Sequence, residues 1–338
     1  MQLHSNKTVM VTGITGFLGS HIAIQLLNQG FNVVGTLRSL ARADHIKDII
    51  LNNVTKTSSQ LAFVECDLTK DDGWEEAISG CDYVIHSASP FLAYIPKHED
   101  QLIKPAVEGA LRILKAAYAN NVKRVVLTSS IAAVLYGQSS EQQTEDNWSD
   151  PNNRRSTPYY KSKTLAEQAA WQYAKASGLS LSVINPGIIL GPVLEEDYGT
   201  SAELIIKLMN KSLPGLPKIG FTISDVRDVA EAHILAMLNS KAEGERFITA
   251  GKFMWMSEIA NVLRGEYPDY SIPKRKLPDF VMKIISLFDP AVKTVIKDLG
   301  FKHNLSNLKA KRILNWSPRS EKESIIATAN SLIQQGIL

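Results

Sequence analysis

The glycine-rich stretch near the start of the chain constrains the fold more than any other segment. Residues 8–11 form a short, β-branched apolar run, followed by glycines spaced G-x-x-G-x-x-G and then by apolar residues at helical spacing. This order predicts a buried parallel strand, a tight turn and a helix. Such a turn lets a diphosphate approach backbone N–H groups at the helix N-terminus, so we predict a dinucleotide site. The alternative is a glycine-rich turn in another α/β fold. The predicted site comprises Gly13, Thr15, Gly16, Phe17, Leu18 and Gly19.

Strand and helix patterns alternate through the first half of the chain. Strands are predicted at residues 8–11, 32–35, 61–65, 83–86, 124–128 and 180–184, and helices at 41–53, 72–79, 103–119 and 158–176. The alternation predicts an α/β fold with a Rossmann-type, doubly wound parallel sheet. Ligands of such sheets lie beyond the carboxyl ends of the strands. Several distinctive segments fall at those ends, namely residues 13–19, Arg38, Asp67, 88–90, 129–130 and 186–187.

The pattern changes after Gly187, where prolines separate short helical stretches. Only residues 221–238 return to the regular pattern, with Val226, Val229, Ala230, His233 and Ala236 in helical register. We predict a smaller, mostly helical C-terminal lobe that supplies the substrate pocket. The dinucleotide-binding Rossmann domain would comprise residues 1–186 plus about 217–240, and the substrate lobe about 187–216 and 241–338.

Composition excludes several classes of protein. The net charge of +3 on 338 residues gives no electrostatic case for binding nucleic acid. Two cysteines and scattered histidines predict neither a disulfide framework nor a metal site. No apolar stretch is long enough to span a membrane, and because the first residues lead directly into the first predicted strand, we expect no signal peptide. We expect a cytoplasmic protein.

The end of the second predicted strand indicates which dinucleotide binds. An acidic residue there would bind the ribose 2′-hydroxyl of NAD, but the chain has Arg38 followed by Arg42. Both guanidiniums can reach one spot if a helix starts between them, and arginine forms bidentate bonds to phosphate. The hypothesis is a preference for NADPH. The alternative is that both arginines are ordinary surface charges.

Tyr159 and Lys163 form a Y-x-x-x-K pair on one face of a predicted helix. Ser156 or Thr157 could cap that helix, with Pro158 at its first position. We expect the nearby ammonium and the helix N-terminus to lower the Tyr159 pKa, which would make the phenol a usable general acid toward a carbonyl oxygen. Tyr160 lacks the matching lysine. Taken alone, the pair could also be a packed tyrosine and a surface lysine.

Together these motifs give the chain a family resemblance. It resembles the extended short-chain dehydrogenase/reductases and, within them, the dihydroflavonol-4-reductase-like aldehyde and ketone reductases. The resemblance spans nearly the whole chain, and the matching pieces are residues 11–19, 35–39, 66–69, 86–90, 128–130, the Tyr159/Lys163 pair, 185–187, 225–230 and 310–320.

The resemblance implies roles for individual residues. Ser130 would hydrogen-bond the substrate carbonyl, Tyr159 would protonate it, and Lys163 would hold the nicotinamide ribose. From the sequence itself Ser129 and Ser130 are not distinguished, and the resemblance favours Ser130. Further cofactor contacts are implied for Asp67, Leu68, Ala88, Ser89, Thr128, Pro186, Gly187 and Ile189.

The predicted substrate pocket is lined by Phe91, Tyr94, Leu135, Tyr136 and Ile188. In plant dihydroflavonol reductases the position five past the catalytic serine often carries a polar amide that contacts the flavonoid. Here that position is Leu135, which argues for a smaller or less polar aldehyde or ketone.

The sequence therefore predicts an NADPH-dependent reductase of small-molecule aldehydes or ketones, acting as a monomer or homodimer. Two alternatives stay open. One is an NAD-dependent nucleotide-sugar epimerase or dehydratase, which shares the Ser/Tyr/Lys set. The other is a non-catalytic NADP-binding regulator.

Overall fold

The computed structural model describes residues 6–55, 59–89, 98–137, 141–196, 198–287 and 296–338. Within them the strands are β1 Thr8–Thr12, β2 Asn32–Leu37, β3 Leu61–Glu65, β4 Tyr83–His86, β5 Arg124–Thr128, β6 Leu181–Asn185, β7 Ile188–Leu190, β8 Gly220–Asp225, β9 Arg246–Ile248 and β10 Phe253–Trp255. The helices are α1 Phe17–Asn28, α2 Ala43–Asn52, α3 Trp74–Ile78, α4 Asp100–Ala119, α5 Pro158–Ser177, α6 Gly199–Met209, α7 Val226–Leu238, α8 Met256–Glu266, α9 Asp279–Ile285, α10 Leu308–Leu314 and α11 Glu321–Gln334.

A central sheet of seven strands organises the described residues. Its order is β3-β2-β1-β4-β5-β6-β9, and every neighbouring pair is parallel. Helices α1, α2 and α7 cover one face, and α3, α4 and α5 cover the other. The strand order reverses between β1 and β4, so a crevice for a ligand opens at their carboxyl ends. The predicted Rossmann-type fold is confirmed.

A smaller unit lies beside this sheet. Strands β10, β8 and β7 form a three-stranded sheet, and α6, α8 and α11 share a separate hydrophobic core. Strand β9 belongs to the central sheet although it follows residue 241, and β8 pairs within the small sheet. The division into two domains stays a prediction, with these two strands placed differently from the predicted boundaries.

Buried hydroxyls on α11 attach the C-terminal helix to the segment that follows β7. Thr328 Oγ1 accepts a hydrogen bond from the Gly191 N–H at 2.7 Å, and Ser331 Oγ accepts one from the Val193 N–H at 2.7 Å. These bonds give acceptors to buried backbone N–H groups that would otherwise have no hydrogen-bond partner. They fix the path of residues 191–195 across the N-terminal end of α1, where His21 Nε2 lies 2.9 Å from the Pro192 carbonyl oxygen. Over the described ranges, no helix combines the length and apolar character that crossing a bilayer requires.

Candidate active site

The glycine turn joins β1 to α1 through a tight approach of backbone to backbone. Gly13 has a φ of +68°, and a Cβ there would lie 2.8 Å from the Ala88 Cα. A Cβ at Gly19 would overlap the Gly13 carbonyl oxygen. Helix α1 begins after Gly16, which offers no side-chain cap. Its first N–H groups therefore suit an anionic diphosphate, and these residues fit a dinucleotide.

The arginines predicted to select the cofactor follow β2. A short 3₁₀ helix, Leu40–Arg42, starts between them after the Ser39 cap. Arg38 is exposed. The Arg42 guanidinium pairs with Glu195 at 3.1 Å, and His45 Nε2 lies 3.2 Å from the same carboxylate. The segment after β7 thus reaches the end of β2, a contact that no spacing in the sequence indicates.

Three of the remaining predicted cofactor residues, Asp67, Leu68 and Thr128, lie at the carboxyl ends of the central strands. The Asp67 carboxylate accepts bonds from the Thr69 N–H and hydroxyl at 2.9 and 2.8 Å, which hold its pKa below the usual range. Leu68 lies beside Gly109 of α4. Thr128 Oγ1 lies 2.7 Å from His233 Nε2.

Three more of these residues lie around β6 and β7. The Pro186 carbonyl accepts from the Ile131 N–H at 2.9 Å. The Gly187 N–H donates to Ser224 Oγ at 2.9 Å. Ile189 lies within β7. The bonds of Pro186 and Gly187 fix the backbone just after β6. Strand β6 pairs with β5, the strand that precedes Ser129 and Ser130.

Tyr159 and Lys163 share the N-terminal part of α5. Thr157 caps this helix, accepting from the Tyr160 N–H at 3.4 Å, and Pro158 occupies its first turn. The Lys163 ammonium donates to Ser89 Oγ at 3.0 Å and lies 5.9 Å from the centre of the Tyr159 ring. The Ser130 side chain hydrogen-bonds Tyr159. The structure therefore brings Ser130, Tyr159, Lys163 and Ser89 together.

The expected lowering of the Tyr159 pKa is wrong for this arrangement. Burial raises the pKa of Tyr159, and the hydrogen bond with Ser130 only partly opposes the rise. The ammonium is directed at Ser89 rather than at the phenol, which explains why it does not dominate. Burial also lowers the Lys163 pKa to about 8, with Glu167 acting in the opposite direction. Tyr159 is nevertheless 44% exposed, so its ring remains accessible to a substrate.

The two serines after β5 have different partners. Ser129 Oγ donates to Glu167 Oε2 at 2.5 Å, within the protein interior. Ser130 Oγ accepts from the Ala132 N–H at 3.1 Å and also meets Tyr159. Sequence reasoning missed Glu167, although its position four residues after Lys163 on one helix face could have indicated it.

The predicted substrate residues fall into three groups. Leu135 and Tyr136 are buried in a small cluster, where the Tyr136 ring packs 4.8 Å from Tyr160 and its hydroxyl bonds Asp298. Ile188 in β7 is half-buried. Phe91 and Tyr94 lie outside the described residues. Their contact with a substrate stays a prediction.

The chain belongs to the NAD dependent epimerase/dehydratase family, which it matches over residues 9–250. This match covers the central sheet and the Ser/Tyr/Lys cluster. It confirms membership of the extended short-chain dehydrogenase/reductases.

The relatives narrow the class further. Cinnamoyl-CoA reductase 1 of Petunia hybrida is 33% identical over 344 residues, covering 100% of this chain and 96% of that protein. The bifunctional dihydroflavonol 4-reductase/flavanone 4-reductase of Pyrus communis is 34% identical over 279 residues, covering 80% of this chain and 79% of that protein. The structure of yeast methylglyoxal/isovaleraldehyde reductase Gre2 complexed with NADPH has a TM-score of 0.79 at 27% identity, covering 98% of this chain and 100% of that one. The predicted resemblance to dihydroflavonol-reductase-like proteins is thereby confirmed.

Proposed function

We propose that this protein is an NADPH-dependent reductase that converts an aldehyde or ketone to an alcohol. The observation that carries the proposal is the cluster of Ser130, Tyr159 and Lys163 at the carboxyl ends of the central strands. The cluster lies at the same edge of the central sheet as the glycine turn, the edge formed by the carboxyl ends of the strands. Relatives of this chain are named as reductases, and one related structure is described as an NADPH complex.

Residues of this chain would hold the dinucleotide in an extended groove. The N-terminus of α1 would receive the diphosphate, and Arg38 and Arg42 would bind the 2′-phosphate. Asp67 and Leu68 would flank the adenine. Lys163 and Ser89 would reach the nicotinamide ribose. When bound, the dinucleotide supplies the hydride that reduces the carbonyl carbon.

The proton would come from Tyr159. Its raised pKa keeps the phenol protonated at neutral pH, and a developing alkoxide is a stronger base than a phenolate. Ser130 would donate a hydrogen bond to the same carbonyl oxygen and orient it toward the phenol. Because Ser129 donates to Glu167, the geometry favours Ser130 for this role. Holding the reactants in one orientation contributes much of the rate.

The test is cofactor oxidation by the purified protein with a panel of aldehydes, diketones and keto esters, using NADPH and NADH in parallel. The proposal expects turnover of at least one carbonyl class, with a higher kcat/KM for NADPH than for NADH. Arg38→Ala should reduce that preference, because it removes one charged bond to the 2′-phosphate worth about 1.5–3 kcal/mol. Equal efficiency with both cofactors in the wild type would refute the NADPH assignment.

An NAD-dependent epimerase or dehydratase is the second candidate, since the family that matches carries that name. Such an enzyme would retain its cofactor through the reaction. Protein that releases tightly bound NAD on denaturation and oxidises no NADPH across the panel would favour it. A non-catalytic NADP-binding regulator would bind NADPH without turnover.

A further inference from the structure

A buried ion pair lies behind the serine and lysine of the proposed active site. Glu167 on α5 is 1% exposed, and Arg246 on β9 is 6% exposed. Arg246 Nε lies 2.7 Å from Glu167 Oε1, and one terminal nitrogen lies 3.1 Å from Oε2. The guanidinium also stacks on Trp148, 3.8 Å from the ring centre. Charges are buried this completely only when they are paired, so the carboxylate is held in one position.

The same carboxylate bonds to residues at the carboxyl ends of β5 and β6, beside the proposed catalytic residues. Glu167 Oε2 accepts from Ser129 Oγ at 2.5 Å and from Asn185 Nδ2 at 2.8 Å. That Asn185 amide also donates to the Ser130 carbonyl oxygen at 3.1 Å. Glu167 therefore fixes the backbone of Ser130 through two residues, Ser129 and Asn185, which both bond to its carboxylate.

Glu167 also faces Lys163. The two side chains lie four residues apart on α5 and line a common cavity of about 20 Å³. Among the described residues, the other titratable side chains beside Lys163 are Tyr159 on α5 and His86 on β4, while α4 presents the uncharged Ala106 and Ala110 there. Burial holds the His86 pKa at about 3, so it carries no charge at neutral pH. Glu167 supplies the negative charge on this side of the ammonium.

We propose that Glu167 is a positioning residue for the reductase chemistry, an inference that rests on the proposed function. Its buried carboxylate fixes the strand end that carries Ser130 and places a negative charge beside Lys163. Because Glu167 is 1% exposed, we assign it a role through Ser130 and Lys163 and not through direct contact with a substrate.

The test compares Glu167→Gln with Glu145→Gln. Glu145 is a second buried carboxylate near Arg246 and accepts from the Ile248 N–H at 3.0 Å, but within the described ranges it has no bond to the segment that carries Ser129 and Ser130. Both variants lose one buried charge from the same region. Two readouts are needed, namely kcat with the best carbonyl of the panel and the pH at which Lys163 becomes half-acetylated by a short pulse of acetic anhydride, read by mass spectrometry.

Glu167→Gln should lower kcat roughly ten- to a hundredfold, as expected when a catalytic group is misplaced. It should also move the half-acetylation of Lys163 to lower pH, because the anion that favours the ammonium is gone. Glu145→Gln should change neither readout. An unchanged labelling midpoint in Glu167→Gln, or the same changes in Glu145→Gln, would overturn the inference.

Ser129→Ala keeps the test decisive if Glu167→Gln does not fold. This variant retains the ion pair and the charge beside Lys163 but removes the bond to the strand end. We expect kcat to fall about fivefold, the worth of one hydrogen bond, with the labelling of Lys163 unchanged. Full kcat would overturn the positioning role. If the wild type has no reductase activity, the proposed function is refuted. The labelling comparison would then still show whether the Glu167 charge shifts the pH at which Lys163 is acetylated.

Discussion

At the scale of single residues, burial shifts the pKa values of Tyr159 and Lys163 in opposite directions, and the chemistry of the site depends on both. Burial raises the pKa of the phenol and lowers that of the ammonium to about 8. The two groups therefore hold their protons over different pH ranges. Because the phenol stays protonated beyond the point where Lys163 loses its charge, each group gives a separate prediction.

Removing the phenolic hydroxyl should abolish catalysis without abolishing cofactor binding. Tyr159→Phe keeps the ring, which is 44% exposed, but loses the proposed proton donor. We expect kcat to fall about 10²–10⁴-fold, the usual worth of general acid catalysis, while NADPH still quenches protein fluorescence with little change in Kd. Tyr160→Phe, which lies one residue further along α5, is the matched control. Retained turnover in Tyr159→Phe would remove the tyrosine from the mechanism.

The pH–rate profile should show the loss of the positive charge on Lys163. With a lowered pKa of about 8, the lysine is cationic at neutral pH and becomes neutral as the pH rises through that value. We expect kcat/KM to fall above about pH 8, whereas Tyr159, with its raised pKa, should still be protonated there. Lys163→Met should have a low rate without this alkaline limb. A wild-type profile that stays flat well above pH 8 would argue against a charged lysine in the reaction.

At the scale of elements, the segment after β7 connects the lobe to the cofactor groove. Its Glu195 side chain, 16% exposed, pairs with Arg42 across the proposed 2′-phosphate site. If Arg42 binds the 2′-phosphate as proposed, this carboxylate competes with the phosphate for the same guanidinium. Because the Arg42 side chain is 47% exposed, solvent screens the pair, which should contribute little stability, about 0–1 kcal/mol.

Glu195→Gln should therefore strengthen NADPH binding. Removing the negative charge beside Arg42 should lower the KM for NADPH by up to about fivefold, the factor that corresponds to such a pair, and leave the KM for NADH unchanged. The exposed neighbour Glu196 supplies the control, since Glu196→Gln alters the net charge equally and leaves the ion pair between Arg42 and Glu195 in place. A weaker affinity for NADPH in Glu195→Gln would show that the carboxylate helps to place Arg42.

At the scale of the whole molecule, hydroxyl groups on α11 tie the C-terminal helix to the segment after β7. Ser324 donates to Asp225 at 2.9 Å at the end of β8, and Thr328 and Ser331 accept from residues 191 and 193. These contacts join the small sheet to the path that crosses α1. Helix α11 is therefore held against the small sheet by satisfied polar groups as well as by apolar packing.

Thr328→Val should destabilise the protein while preserving its shape. The substitution leaves the buried Gly191 N–H without its acceptor, which costs about 1–3 kcal/mol. Thr328→Ser keeps the hydroxyl and should stay within about 1 kcal/mol of the wild type, the cost of one lost methyl group. Equilibrium denaturation in urea measures both variants. Equal stability of Thr328→Val and wild type would mean that water replaces the hydroxyl.

Sequence patterns predicted the central sheet well because local signals and fold agree there. The strands Leu61–Glu65, Tyr83–His86 and Arg124–Thr128 match their predicted bounds, since short apolar runs between glycines and helices leave little choice. The Thr157 cap was one of two predicted candidates, and its hydrogen bond identifies it.

Contacts between distant segments could not be predicted. The pairs Glu195–Arg42 and Glu167–Arg246 join residues far apart in the chain, and neither spacing nor composition indicates them. Strand β9 is only three residues long, too short for a periodic signal. The direction of the Tyr159 pKa shift depended on burial and on where the Lys163 ammonium points, neither of which a sequence records.

The most direct test of the proposed function follows the hydride. The wild-type protein is incubated with NADPH deuterated at the transferable C4 position and a carbonyl substrate from the panel, and the product is examined by mass spectrometry and NMR. We expect one deuterium on the carbinol carbon of the alcohol for each NADPH consumed, and loss of this product in Tyr159→Phe. An alcohol without deuterium, or a product formed with no net consumption of NADPH, would contradict it.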